Sequence, residues 1–286
     1  MSAAIIKTEA SQKRRNFISK FLIYFFLIVI TACMLLPFLW MLSSSFKLNK
    51  DVFGFPIQWI PKNPRWQNYV DIWTQIPLLT FVKNTVKITV VVTLLQLFTS
   101  SFAAYAFAKM QFKGKNALFL GYIATIAVPW QAYMVPQFMM MSSWHLNNTH
   151  LAIMCLQAFS AFGVFLMKQF CEGIPGEILE AARVDGANEA KTFITIVLPM
   201  VKPGIGALAI FTFINSWNDY FMQLVMLSSN SNFTISLGIA TLQAETTVDM
   251  GLLMAGAALA AIPIIIVFLI FQKYFTKGIT MGAVKG

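Results

Sequence analysis

The sequence predicts an all-α integral membrane protein with six transmembrane helices and both termini in the cytoplasm. Three observations carry that prediction. Of 286 residues, 58% are hydrophobic and 11% charged, where a soluble globular domain has about 25% charged. A bilayer core takes about 20 apolar residues at about 1.5 Å each, and runs of roughly that length recur at residues 21–42, 88–108, 117–141, 151–167, 205–227 and 252–271. The basic residues alternate between loops. Lys7, Lys13, Arg14, Arg15 and Lys20 precede the first run, and Lys109, Lys113 and Lys115 separate the second from the third. Lys168, Arg183, Lys191 and Lys202 lie between the fourth and fifth, and Lys273, Lys277 and Lys285 follow the sixth. The third and fifth loops have none, so the positive-inside rule puts both ends and the even-numbered loops in the cytoplasm. The first loop, 43–87, carries six basic residues, but they spread toward the middle of a long loop and weigh less. A net charge of +10 distributed in this way points to a membrane surface and not to nucleic acid.

Residues 1–20 form a basic tail suited to anionic headgroups. The apolar run after it is too long for a signal-peptide core and no small-residue cleavage site follows, so it is read as a span. Ile30-Thr31-Ala32-Cys33 looks like a lipoprotein box, but the chain stays hydrophobic through Leu42. In the outer loop, Pro56, Pro61, Pro64 and Pro77 stop helices while Trp59, Trp66, Tyr69 and Trp73 suit the headgroup level, which predicts an ordered loop. Span two offers Gln96, Thr99, Ser100 and Ser101, and span three Gln131 and Gln137, as cavity lining or as interhelical glue. Pro129, Pro136 and Pro263 predict kinks or local breaks in spans three and six. Span four is short unless Lys168 snorkels. His145 and His150 are read as interfacial, with no acidic residue or cysteine beside them to complete a metal site. Cys33, Cys155 and Cys171 are isolated and are read as small buried hydrophobes.

Span five contains Asn215, Ser216, Trp217, Asn218, Asp219 and Tyr220. A carboxylate at membrane depth costs about 2.5 to 3.5 kcal/mol on insertion scales, so Asp219 should face a bundle interior or water. Amide, carboxylate and aromatic groups suit a neutral sugar, whose hydroxyls meet the polar atoms and whose ring faces stack. Hydrogen bonding between helices is the competing use. In span six, Ala255, Gly256, Ala257, Ala258, Ala260 and Ala261 make a small-residue surface for close contact. No internal repeat at a fixed period is visible, which weakens an inverted-repeat secondary transporter.

The loop at about 172–202 is charged amid hydrocarbon. Pro175 is preset for a first helical turn, Glu177 and Glu180 sit near the positive dipole end, and Asp185-Gly186 is a stop before a second helix. Ala181 and Ala182 give the first helix a slim face. Glu180-Ala181-Ala182, then Gly186, Ile196, Leu198 and Pro199 together resemble the EAA loop of permease subunits of bacterial ATP-binding cassette importers. The resemblance implies that Glu177, Glu180, Ala181, Ala182, Asp185, Gly186, Ile196, Leu198 and Pro199 dock a separate ATPase. No phosphate loop is present, since Lys115 follows Gly114 but precedes Asn116. ATP and Mg are therefore expected on a partner, with no cofactor, metal or covalent chemistry here.

Residues 37–41, Ser45-Phe46-Lys47, Asn68-Tyr69, Ser216-Trp217-Asn218-Asp219 and the tail 278–286 look like the carbohydrate-importer permeases of the maltose-permease type. That resemblance implies a multi-pass subunit of a bacterial cytoplasmic membrane. It would import a di- or oligosaccharide by alternating access, with Asn215, Trp217, Asn218, Asp219 and Tyr220 on the substrate path. The implied partners are a second permease in a heterodimer that holds most sugar contacts, two ATP-binding subunits and an extracytoplasmic sugar-binding protein. Gly282, Ala283, Val284, Lys285 and Gly286 would touch the ATPases. The expected organisation is a tail at 1–20, a transmembrane domain at 21–275 and a tail at 276–286. The alternative is an ion-coupled secondary transporter with Asp219 as its proton site.

Overall fold

The computed structural model describes the backbone of residues 2–243 and 248–283 and the side chains of 17–243 and 248–273. Apolar runs bounded by proline, glycine or capping residues become helices, and no strand occurs among the described residues. In chain order they are α1 (Ser2–Ser44), α2 (Asn49–Val52), α3 (Asn68–Gln75), α4 (Leu78–Lys109), α5 (Lys115–Ala124), α6 (Met134–Ser143), α7 (His150–Gln157) and α8 (Ala161–Glu172). There follow α9 (Gly176–Val184), α10 (Glu189–Thr192), α11 (Leu198–Met200), α12 (Lys202–Asn218), α13 (Phe221–Met226), α14 (Ile235–Thr241) and α15 (Met250–Ala283).

Among the described residues, Phe17–Ser44, Leu78–Lys109 and Met250–Lys273 are each long and apolar enough to cross a bilayer. They contain the predicted first, second and sixth spans. The other predicted spans are not continuous. In the third, Pro129 lacks an amide hydrogen and drives Val128 to an extended ψ of 115°. The helix therefore stops at α5, passes through two short 3₁₀ turns and restarts as α6. Pro136 breaks nothing, because it lies in the first turn of α6 where amide hydrogens have no helical partner. Pro263 leaves α15 helical on both sides. The fourth predicted span is two helices, α7 and α8, meeting at 42°. Ser160 makes the break by capping α8, its hydroxyl accepting from the Gly163 amide at 3.0 Å. The fifth ends early, since Asp219 turns extended at ψ 121° before α13 begins.

The chain divides into two compact units. The first comprises residues 1–72 and 247–258. There Ser45-Phe46-Lys47 and Asn68-Tyr69, distant in sequence, come together. Asn68 is buried and its Nδ2 donates to the carbonyls of Ser45 at 2.9 Å and Lys47 at 3.0 Å. Tyr69 and Ser45 share a hydroxyl hydrogen bond of 2.7 Å, and Phe46 packs against the rings of Trp66 and Tyr69. The loop is ordered, as its prolines and aromatics predict. Lys47 is 3% exposed and its Nζ has no hydrogen-bond acceptor. The ammonium lies 4.6 Å from the centre of the Trp40 ring. Burial pushes its pKa below the usual lysine value, with Asp51 opposing the shift.

The second unit comprises residues 73–246 and 259–286, built on α4 with α8 and α12 packed along it. Gly163 permits the close approach of α8, since a Cβ there would collide with Ser100 Oγ and crowd Leu208. One apolar cluster gathers on Ile88 and Val92 of α4 with Met141, Ile153 and Met226. Another gathers on Ala104 and Tyr105 with Met167, Leu179, Phe193 and Leu208. Between these two, α4 is polar. Gln96 Nε2 donates to the Gln157 carbonyl at 2.8 Å and Thr99 Oγ1 to the Ala158 carbonyl at 2.8 Å. These are the carbonyls that the α7–α8 break releases, and in hydrocarbon such groups must find a donor inside the protein. Cys171 is buried as expected, but Cys33 and Cys155 are exposed. They sit on apolar helix faces that hydrocarbon can cover. His150 Nε2 is 2.9 Å from the Asn232 carbonyl, which occupies it without a metal.

Candidate functional site

Residues at i, i+3 and i+4 share one helix face, and on α12 that face is Thr212, Asn215 and Ser216, continued past the helix end by Asp219. It lines a cavity of about 470 Å³, within the range of small-molecule sites. Val92 and Gln96 of α4 contribute, with Gln131, Gln157 and the aromatic rings of Trp130, Phe162, Phe211 and Phe221. Asp219 is the one charged side chain among the described lining residues. Its Oδ2 accepts from Gln157 Nε2 at 2.6 Å and its Oδ1 from the Met222 amide at 3.3 Å. The extended turn at Asp219 thus both caps α13 and aims the carboxylate at α7. Thr212 Oγ1 donates to Gln96 Oε1 at 2.9 Å, so Gln96 is fixed at both ends of its amide. Gln157 Oε1 and Ser216 Oγ are buried without a partner.

Of the residues expected on the substrate path, Asn215 and Asp219 line the cavity. Trp217, Asn218 and Tyr220 do not. Trp217 is 2% exposed and stacks on Phe213 at 5.6 Å, and its Nε1 donates to the Ala260 carbonyl at 3.1 Å. At Ala260, α15 thereby meets α12 within the same chain. Asn218 is exposed, and Tyr220 packs against the Ile88–Val92 cluster. Two residues at about 100° each turn Trp217 to the far side of α12 from Asn215. Gln131 is on the lining, whereas Gln137 is occupied by Trp130 Nε1 at 2.8 Å. Gln157, Thr212 and Trp130 were not anticipated, although an amide inside the apolar run of α7 was a readable signal.

The charged loop forms the second region. Pro175 is the cap residue of α9, extended at ψ 134°, and the helix begins one residue later than its first-turn reading implied. Leu179 and Ala182 are buried, so Ala182 turns into the chain and does not contribute to an outward face. Glu177, Glu180, Ala181 and Asp185 remain exposed beside Val184. The helix ends in a Schellman motif: the Ala187 amide donates to the Ala182 carbonyl at 2.9 Å and the Gly186 amide to the Arg183 carbonyl at 3.0 Å. Gly186 has φ +79°, a conformation that costs other residues about 1 kcal/mol or more. Asn188 caps α10, its Oδ1 accepting from the Lys191 amide at 2.8 Å. A π-helical turn, Phe193–Val197, leads to α11, with Ile196 and Leu198 half-buried on the Tyr105 cluster and Pro199 exposed.

A side-chain latch ties this loop to α4. Tyr105 donates from its hydroxyl to Glu189 Oε2, and Arg183 Nε donates to Glu189 Oε1 at 3.0 Å. One carboxylate thus joins α4, α9 and α10. None of the three was singled out from sequence, because each looks ordinary alone. Val284, Lys285 and Gly286 lie outside the described residues, as do the side chains of Gly282 and Ala283 and those of the basic tail through Asn16.

The description "binding-protein-dependent transport system inner membrane component" belongs to a family whose model matches residues 96–281. The chain is 35% identical over 253 residues to the arabinooligosaccharides transport system permease protein AraQ of Halalkalibacterium halodurans, covering 87% of this chain and 91% of that one. It is 32% identical over 255 residues to the lactose transport system permease protein LacG of Rhizobium radiobacter, covering 87% and 90%. Its fold matches a chain of a bacterial ABC transporter involved in import of the acidic polysaccharide alginate. That match has a TM-score of 0.81 at 24% identity and covers 92% and 98% of the two chains. The chain is a multi-pass membrane protein and belongs to the family of binding-protein-dependent transport system inner membrane components.

Proposed function

We propose that this chain is the permease subunit of an ATP-driven carbohydrate importer, passing a di- or oligosaccharide through the α12 cavity by alternating access. The relatives named for arabinooligosaccharides and lactose support the substrate class. α5 with α6, α7 with α8, and α12 with α13 are the third, fourth and fifth of six spans, and both termini are cytoplasmic. Its partners are a second permease, two ATPase subunits and an extracytoplasmic sugar-binding protein; the tail 276–286 reaches the ATPases. The chain itself performs no covalent chemistry.

The observation that carries this reading is that α4 takes part in both regions. Gln96 lines the cavity and Tyr105 holds Glu189 of the loop. Nine positions of helix separate the two, about 14 Å. A push on α9 from an ATPase closing on ATP reaches α4 through the latch and the buried Leu179 and Ala182. The cavity wall then moves as a rigid element, and hydrolysis resets it. The exposed Glu177, Glu180, Ala181 and Asp185 are the docking face, with Gly186, Ile196, Leu198 and Pro199 shaping the return to the membrane. This arrangement favours ATP over an ion gradient at Asp219.

The test is purification followed by uptake into vesicles. The chain should copurify with an ATPase, and uptake should require ATP and ignore a proton gradient. Gly186→Val should leave insertion intact and uncouple hydrolysis from uptake. Unchanged uptake by this variant would refute the joint.

A further inference from the structure

The hydrogen-bonding groups of the cavity are unbalanced. Gln157 must turn its NH₂ toward Asp219, because a carboxylate accepts and does not donate. Its Oε1 therefore points away, buried and without a partner. Asp219 accepts from N–H groups on both oxygens and keeps lone pairs free. Gln96 has spent both ends of its amide, and the Trp130 N–H is committed to Gln137. Asn215 and Gln131 offer amides that both donate and accept, so the imbalance lies in charge: one carboxylate and no cation among the described lining residues.

We infer that the cavity selects by charge: it takes hydroxyl-rich neutral or amino sugars, and Asp219, held in place by Gln157, excludes uronic-acid sugars. The inference rests on the cavity being the sugar path. A hydroxyl or ammonium group donates to the free lone pairs of Asp219. The carboxylate of a uronate brings only acceptors, finds no cation among the described lining residues, and meets a like charge at Asp219. A chain of the same fold belongs to an importer of an acidic polysaccharide, so the fold alone does not set this preference. Asp219 acts here as the specificity-determining residue and Gln157 as the residue that positions it.

The test titrates the intact permease–ATPase complex in lipid nanodiscs with lactose, a glucosamine disaccharide in mildly acidic buffer, and digalacturonate. Binding is read by saturation-transfer NMR on the sugars. Lactose should bind, the glucosamine disaccharide more tightly, and digalacturonate on the order of tenfold or more weaker than lactose. Asp219→Asn should shrink the spread among the three to about threefold or less, and Asn215→Asp, which adds a second carboxylate to the same helix face, should widen it. The Asn215 substitution keeps the inference testable if Asp219→Asn fails to fold. Digalacturonate binding as well as lactose, in a complex where Asn215→Leu weakens both, would overturn the charge rule and leave the path standing. If all three Asn215 and Asp219 variants leave every sugar unchanged, the path reading and the charge rule fail together.

Discussion

The latch on α4 supplies the sharpest prediction. Tyr105→Phe removes one hydroxyl and keeps the ring, which packs on Phe193 at 5.4 Å within a buried cluster. The lost interaction is a hydrogen bond to a carboxylate, worth about 1.5 to 3 kcal/mol when well shielded. Glu189 is 42% exposed and retains Arg183, so water recovers part of that and about 1 kcal/mol remains. Such a change raises the population of the released loop roughly fivefold. Amide hydrogen exchange across residues 185–192 in the intact complex should accelerate by that factor, while amides of α12 stay as they were. Vesicle uptake should fall with ATP hydrolysis preserved, since the motor still runs but the push reaches α4 less faithfully. Glu189→Gln, which weakens both contacts, should exceed Tyr105→Phe on each measurement. Exchange within twofold of the wild type across 185–192 would refute the latch, and so would uptake that falls only in step with hydrolysis.

Gln96→Leu strands the Gln157 carbonyl at the α7–α8 break and should cost about 1 to 3 kcal/mol in an SDS unfolding titration; Thr99→Val, which strands Ala158, should cost about 1. A change under about 0.5 kcal/mol for Gln96→Leu would mean the carbonyl has another donor. Gly163→Ala drives a methyl into Ser100 Oγ and should destabilise by about 1 to 3 kcal/mol, with Ser100→Gly restoring part of the loss in the double variant; purely additive costs would refute that contact. Lys47 titrates below its unfolded value, so between those two pKa values the unfolded chain binds more protons than the native one and stability rises with pH. Unfolding midpoints should therefore climb as the pH rises toward the ordinary lysine value, and climb less in Lys47→Met; parallel profiles would count against a buried charge.

The loop motif was legible because its information is local: a glycine, a proline and paired small residues at fixed spacing specify one cap and one turn. The Asn215–Tyr220 cluster was legible as chemistry but misread as geometry. Six adjacent polar or aromatic residues on a helix cannot share a face, and the 3.6-residue period already separates Asn215 and Asp219 from Trp217. Thr212, one turn earlier on the same face, follows from that period too. The break at residues 158–160 was hidden for a different reason. Leu156 through Phe165 reads as one apolar run, and the serine that stops the helix acts by capping, a weak preference in isolation. What fixes the break is Gln96 and Thr99, some sixty residues away, and no local window contains both partners. The latch was equally non-local, since Tyr105 and Glu189 meet only after α4 and α10 pack.

The break between α7 and α8 also bears on how the protein is made. α7 has 8 residues and α8 has 12, about 12 and 18 Å of helix, and neither alone crosses a hydrocarbon core of about 30 Å. Their junction exposes two carbonyls to lipid until Gln96 and Thr99 arrive, at several kcal/mol each. This segment therefore lacks partners for those carbonyls as an independent span. Packing on α4, which emerges first from the ribosome, supplies those donors. Chain order and insertion order are thus coupled: a helix made early serves as the template on which a later, incomplete one is admitted to the membrane.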